Sequence, residues 1–314
     1  MNTQAGEENL PHRPVLYQEI IHTIAPARGK KYVDGTLGAG GHAWGLLEGS
    51  SPDGCLLGLD VDTQAIALAR QRLAEFGARV TLVQASYTTL SEQLENLGWV
   101  SVDGIVLDLG ASSMQFDTPG RGFSFQHAGP LDMRFDTTAP LTAADIVNTW
   151  DGESIADVLY RYGEERRSRQ IAKAILRARP LKTTHQLAEV VVKAFRGPRK
   201  SRLHPATRTF QALRIAVNQE LEAIEEVLPQ AVDALAPKGR LAVISFHSLE
   251  DRIVKQFFRQ CSVDEIDSDP PFSSVVRQAS VRLINRKPII PGEEEVLTNP
   301  RARSAKLRIV EKLP

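Results

Sequence analysis

The segment Asp34-Gly-Thr-Leu-Gly-Ala-Gly-Gly-His42 follows the short apolar run Lys31–Tyr32–Val33 and precedes a helical pattern from Ala43 to Leu47. Glycines 38, 40 and 41 at such a strand-to-helix turn let the backbone approach a ligand closely. The spacing Gly38-x-Gly40-x-x-Ala43 fits the dinucleotide fingerprint, and Asp60, 22 residues after Gly38, is placed to accept hydrogen bonds from ribose hydroxyls. The same turn also reads as tight packing of a helix on a strand, and by itself it does not separate a nicotinamide cofactor from S-adenosylmethionine. Neighbouring residues do more. Asp34 opens the turn where a pyrophosphate would have to lie, and a fixed carboxylate there disfavours an anion but suits a sulfonium. Tyr87 lies beyond a third apolar run, where it can flank an adenine. Asp108 ends a fourth, Val102-Asp-Gly-Ile-Val-Leu-Asp108. Three acids at three strand ends fit a cationic cofactor better than NAD.

These residues need a sheet to bring them to one edge. The runs 31–34, 55–60, 80–83 and 102–108 are apolar without clean alternation, as parallel strands covered on both faces are. Helical spacing separates them, as in Ile66, Ala69, Leu73 and Phe76, with Asp62 or Thr63 as cap and Gly77 as stop. Alternating strands and helices predict a doubly wound α/β sheet. The rhythm then breaks, and from about Gln126 to Ala216 only helical patterns occur: Ser154–Tyr160, Glu164–Ala178 and Thr184–Phe195. One long helix is predicted to carry Leu213, Val217, Leu221, Ile224 and Leu228 on a single stripe, followed by a second helical segment ending at Pro237-Lys-Gly239 and a fifth strand over 240–247. The late runs Val275–Ile284 and Lys306–Val310 suggest an edge hairpin. The expected division is 1–125 and 217–314 for the sheet domain, with an all-helical insertion over 126–216.

Over 314 residues, 42% hydrophobic and 24% charged residues exclude a disordered tail or a fibre. No apolar run reaches the roughly 18 residues of a bilayer span, and the polar, acidic start does not read as a signal peptide. Cys55 and Cys261 lie far apart and read as buried, reduced thiols, and the chain lacks CxxC and HExxH. A cytoplasmic protein without a metal is expected. Lys plus Arg and Asp plus Glu both number 38, but the sum conceals a separation. From Arg161 to Arg214 there are fifteen Lys/Arg against three Glu, and from Arg277 onward nine against four, which leaves the remainder at −17. The asymmetry reads either as a region built for an anionic partner or as a solvated helix face.

Eight ordered blocks carry a resemblance across nearly the whole chain. They are the Asp34–His42 turn, Leu107-Asp-Leu-Gly-Ala-Ser-Ser113, Arg121-Gly-Phe-Ser-Phe125, Gly129-Pro-Leu-Asp-Met-Arg134, Tyr162-Gly-Glu-Glu-Arg166, His204-Pro-Ala-Thr-Arg-Thr-Phe-Gln-Ala-Leu-Arg214, Ser245-Phe-His-Ser-Leu-Glu-Asp-Arg252 and Asn299-Pro-Arg-Ala-Arg-Ser304. In these the sequence resembles the bacterial 16S ribosomal RNA (cytosine(1402)-N4)-methyltransferases. The resemblance implies a class I, Rossmann-like S-adenosylmethionine-dependent methyltransferase sheet. It also implies cofactor contacts from Gly40, Gly41, His42, Asp60, Tyr87, Asp108 and Gln115. The substrate it implies is 16S rRNA, within the small ribosomal subunit.

A cytosine amine is a poor nucleophile and must be held in line while its proton is accepted. Asp108 and His247 are the candidate proton acceptors. The Asn/Asp-Pro-Pro-aromatic tetrad of many exocyclic-amine methyltransferases is absent, its place reading Asp108-Leu-Gly-Ala. Phe123, Phe125 and Phe246 are candidates for base stacking or for core packing, and Asp132, Arg134 and Asp251 are further polar candidates. Arg166, Arg167, Arg169, Lys173, Arg199, Lys200 and Arg202 are expected to neutralise RNA phosphates. Two other readings stand beside this one: an NAD(P)-dependent oxidoreductase, resting only on the glycine fingerprint, and an inert RNA-binding protein with a vestigial cofactor site.

Overall fold

Short β-rich runs alternate with capped helices through the first hundred residues, and they assemble into a parallel sheet. The structure is a computed structural model that describes residues 14–195, 204–267 and 274–314. It forms two compact units, residues 1–110 with 222–314, and residues 111–221.

The first unit contains strands β1 (Lys31–Asp34), β2 (Cys55–Asp60), β3 (Val80–Gln84), β4 (Val102–Asp108), β5 (Leu235–Ser245), β6 (Glu265–Asp267), β7 (Ser274–Arg277), β8 (Val281–Leu283) and β9 (Lys306–Lys312). Seven of them form one sheet in the order β3-β2-β1-β4-β5-β9-β8. Strands β1 to β5 run parallel, β9 is antiparallel to β5, and β8 is antiparallel to β9. This is the class I methyltransferase sheet. Its order reverses between β1 and β4, which makes the carboxyl ends of those strands the crevice for a ligand. Helices α1 (Tyr17–Ile24), α2 (Gly41–Gly49), α3 (Thr63–Arg72) and α4 (Leu90–Asn96) belong to the same unit. Ile20, Leu46, Leu47, Ile66 and Ala69 join Leu56, Val106 and Ile244 in one buried core. Each large aliphatic side chain there contributes roughly 1.5–3 kcal/mol by leaving water. Asp62 is the cap of α3, its carboxylate accepting from the Gln64 N–H at 3.0 Å.

The second unit is helical: α5 (Ser113–Asp117), α6 (Ala143–Thr149), α7 (Gly152–Arg161), α8 (Ser168–Ala178), α9 (Thr184–Ala194) and α10 (Ala206–Asn218). Its core joins Phe123, Leu131 and Met133 to Ile146, Leu159, Ile171, Leu187 and Leu213. The junctions expected at 125/126 and 216/217 both fall inside this unit. Phe123 and Val217 explain why: both are buried in the helical core, although each lies outside the span expected for it. Gly122 supports the entry to this core, since its φ of +73° and a Cβ position 2.2 Å from the Pro130 oxygen exclude any side chain.

Two elements differ from the sequence expectation. The single long helix is two, α10 and α11 (Glu220–Ala234), broken at Gln219 with φ 51°. Asn218 there accepts from the Phe135 N–H at 2.7 Å and donates to the Met133 carbonyl at 2.7 Å, while Glu220 accepts from Nε and Nη2 of Arg214, both at 2.8 Å. Side-chain bonds of this kind leave no trace in an apolar stripe. The run Val275–Ile284 also divides, β7 pairing with β6 in a separate two-stranded sheet while β8 joins β9. Helices α12 (Ser248–Cys261) and α13 (Glu293–Thr298) complete the first unit. Both cysteines are free, and Cys55 is half-buried where burial was expected. Among the described residues no helix is long and apolar enough to cross a membrane.

Candidate active site at the carboxyl edge of the sheet

Parallel register carries Asp34, Asp60 and Asp108 to the same edge. Asp34 pairs in register with Gly58 and Val106, Asp60 with Gln84, and Asp108 with Ile244. The glycine turn is folded onto this edge by its own backbone. Gly38 (φ 51°) donates its N–H to Asp60 Oδ2 at 2.8 Å, and Gly40 (φ 76°) donates to the Leu37 carbonyl at 2.8 Å. A Cβ on Gly40 would press within 3.3 Å of Ala69 and Leu73, so α3 holds the turn from behind. Asp60 also accepts from the Asp62 N–H at 2.9 Å. Burial raises its carboxyl above the ordinary range, and these backbone donors oppose the rise. Tyr87, in the turn after β3, has its Cβ 3.4 Å from the place a Gly35 side chain would occupy.

Thr36, which carries no sequence signal of its own, clamps the fourth strand: its hydroxyl accepts the Asp108 N–H at 2.6 Å. His42, in the first turn of α2, is 5% exposed and lies with its ring on Tyr17, centroids 6.2 Å apart at 20°. Its Nε2 is 3.8 Å from Asp108 Oδ2. Among the described residues neither His42 ring nitrogen has a hydrogen-bond partner, and neither does Asp108 Oδ1, although all three atoms are buried. Orphaned polar atoms cost about 1–3 kcal/mol each, so three at one strand end mark a place prepared for a polar ligand. Asp34 is 1% exposed and accepts from the Thr36 N–H at 3.2 Å. Burial pushes its carboxyl up to about 6, against the lowering effect of His42 and the Thr36 N–H and with the help of Asp108 and Asp60. A turn with free backbone approach, three clustered carboxylates and an aromatic ring suit a ligand that joins a ribose, an adenine and a positive charge.

Several other predicted residues are engaged by neighbours of their own. Gln115 belongs to the second unit, where it closes a capping box at the start of α5, its Oε1 accepting from the Ser112 N–H at 3.0 Å. His247 is the N-cap of α12: its Nδ1 accepts from the Glu250 N–H at 3.4 Å and its Nε2 lies 3.1 Å from Glu250 Oε1. Glu250 Oε2 accepts in turn from the N–H groups of Phe246 and His247 at 2.7 and 3.1 Å. The ring serves the first turn of the helix. Asp251 accepts from Nε and Nη2 of Arg308, at 2.7 and 3.2 Å, and from Lys306 at 3.2 Å. Asp132 is likewise spent on Arg134, at 2.9 and 2.7 Å. Burial would raise the Asp132 carboxyl, but the bonds from Arg134 outweigh it and hold it low.

Phe123 is buried and stacks on Phe135 with centroids 5.5 Å apart, and Phe246 packs against the sheet core. Arg166, Arg167, Arg169 and Lys173 are exposed, and Arg167 lies over the Phe195 ring at 4.9 Å. Arg199, Lys200 and Arg202 lie outside the described residues.

The MraW methylase family matches residues 9–313. The chain belongs to this family. Relatives named ribosomal RNA small subunit methyltransferase H share its full span. That of Dehalococcoides mccartyi is 51% identical over 304 residues, covering 96% of this chain and 87% of the relative. That of Geobacter sp. strain M21 is 47% identical over 311 residues, covering 98% and 100%. That of Thermomicrobium roseum is 48% identical over 306 residues, covering 96% and 94%. Family membership gives the glycine turn and its carboxylates the setting of a methylase.

Proposed function

We propose that the protein methylates the exocyclic N4 of a decoding-centre cytidine in 16S rRNA, using S-adenosylmethionine, on small-subunit particles in the cytoplasm. The observation that carries this reading is the convergence of Asp34, Asp60 and Asp108 on the glycine turn, in a chain of a methylase family. The names of its relatives supply the substrate class. The cofactor supplies an electrophilic methyl group on a sulfonium. In this reading Gly40 and Gly41, their missing side chains replaced by the packing of Ala69, Leu73 and Pro14, are assigned to the cofactor by family resemblance, Asp60 accepts from the ribose hydroxyls and Tyr87 flanks the adenine. His42 and Asp108 bring the orphaned polar atoms to the reacting end, and Gln115 is assigned to the cofactor by family resemblance alone.

Asp108 accepts the proton that the amine must lose as its nitrogen gains a carbon. Its main chain is fixed by Thr36 and its Oδ1 is unengaged, as an acceptor held ready should be. His247 is read instead as a positioning residue, since its Nδ1 is engaged at the α12 cap. The exposed bases of the helical unit, Arg166, Arg167, Arg169 and Lys173, are assigned to RNA phosphates, with Arg199, Lys200 and Arg202 assigned to the same role from sequence.

Purified protein, labelled S-adenosylmethionine and unmethylated small-subunit particles test the proposal, with mass spectrometry to locate the methyl. Label on a cytosine N4 is expected. Label on another atom, or none, overturns it. Asp108→Asn is expected to slow transfer by at least about 100-fold while calorimetry finds cofactor affinity nearly unchanged. Loss of cofactor binding would make Asp108 a ligand and not a proton acceptor.

A further inference from the structure

We propose that the helical unit carries a stacking slot for one unpaired nucleobase of the RNA, a base other than the one methylated. The inference rests on the reading of RNA as substrate. Phe125 is half-buried, with the Phe210 ring edge-on to it at 4.9 Å and the His204 ring stacked on it at 4.6 Å and 28°. Phe210 is part of the unit's core, so Phe125 is anchored, whereas His204 is exposed. His204 is also fixed in orientation: its Nδ1 accepts the Ala206 N–H at 3.2 Å, which leaves Nε2 as the ring's donor. The two rings form one side of a cleft of about 240 Å³. Helix α9 forms the other, with Ala188 and Val192 as an apolar wall and Glu189 and Lys193 at the rim. Residues four apart on a helix share a face, which is why these pairs line one surface.

The slot matches a heteroaromatic ring in each respect. A base needs a π face, an apolar wall behind it, and donors and acceptors at its edge. The rings supply the first and Ala188 with Val192 the second. His204 Nε2 and the exposed Glu189–Lys193 ion pair, at 3.3 Å, supply the third. Charge identifies the carrier of that ring. The stretch from Arg161 to Arg214 is rich in bases and holds only three acids, so it attracts a polyanion. The flat, apolar parts of such a polyanion are its bases. Stacking of this kind tolerates every base, so the slot fixes the path of the strand more than it reads sequence.

A short single-stranded RNA carrying 2-aminopurine tests the slot, because the fluorescence of that base is quenched when it stacks. The full chain is expected to bind and quench it. Two variants separate the ring from the cap: His204→Asn keeps an acceptor for the Ala206 N–H and removes the ring, and His204→Tyr keeps a ring and removes the acceptor. His204→Asn is expected to lose the quenching and to bind on the order of tenfold more weakly, and His204→Tyr to retain both. Equal quenching and affinity in the wild type and His204→Asn, or loss in both variants alike, overturns the slot. Methyl transfer by the wild type to unmethylated particles, measured in parallel, reports on the RNA-methylation reading separately. Quenching without transfer removes that reading and keeps the slot, and transfer without ring-dependent quenching does the reverse.

Discussion

Asp34 is stabilised in its neutral form by the fold and is wanted in its charged form by a cationic ligand. Its carboxyl titrates near 6 against an ordinary 3.8, so the ionised group costs the cofactor-free protein about 3 kcal/mol at neutral pH. The sign follows from the direction of the shift. A raised value in the folded state means the contribution is intact below about 4 and is lost as pH rises through 6. Asp34→Asn is therefore expected to raise the melting temperature of cofactor-free protein at pH 7.5, with the difference closing by pH 4, and to weaken cofactor binding. A difference that is the same at both pH values would reject this account. The strand-end acids and the glycine turn were legible in sequence because each sits at a fixed offset within a local strand-turn-helix pattern. Thr36 was not, because its hydroxyl reaches Asp108 across 72 residues and only the folded register brings them together.

Helix α12 and strand β9 are held to each other by charge. Asp251 takes Arg308 in a two-bond grip, and Arg308 is itself buried. Burial alone would raise the Asp251 carboxyl, but Arg308 and Lys306 outweigh it and hold it below the ordinary range. That stabilisation is present above the unfolded carboxyl value and is lost as pH falls through the folded one. Asp251→Asn is expected to cost about 3 kcal/mol at pH 7, since it strands a buried guanidinium, with the deficit shrinking in acid. Denaturant unfolding of the two proteins at pH 7 and pH 4 measures it, and a deficit independent of pH would show that packing and not charge is at stake. Sequence placed Asp251 among candidate site residues because polar residues in a shared motif look alike whether they touch a ligand or a neighbouring strand. The break at Gln219 was hidden for a related reason: the apolar stripe runs through it, while the bonds of Asn218 and Glu220 that set it are polar.

Across the molecule the neutral total resolves into two kinds of basic residue. In the C-terminal segment three are held in ion pairs: Lys306 and Arg308 by Asp251, and Arg282 by Glu311. Those before and along α8 are not. Arg166, Arg169 and Lys173 are exposed and make no ion pair among the described residues. Of the second surplus, Arg282, Lys306 and Arg308 are thus paired within the sheet domain. Replacing Arg166, Arg169 and Lys173 by Glu is expected to weaken binding to small-subunit particles and to flatten its dependence on log salt by about two to three. Cofactor affinity should stay unchanged. An unaltered salt slope would remove α8 from the RNA surface.

The sheet is assembled from both ends of the chain, with β4 ending at Asp108 and its neighbour β5 beginning at Leu235. A ribosome making this protein thus releases four strands and then the whole helical unit before the fifth strand exists. Until then β4 presents an unpaired edge of β-branched and aliphatic residues, the kind of edge that recruits foreign strands. The helical unit, whose core is drawn from one continuous stretch, has no such wait. Synthesis therefore leaves the sheet that gathers the three carboxylates incomplete until β5 emerges, and with it the edge at which Asp108 faces His42.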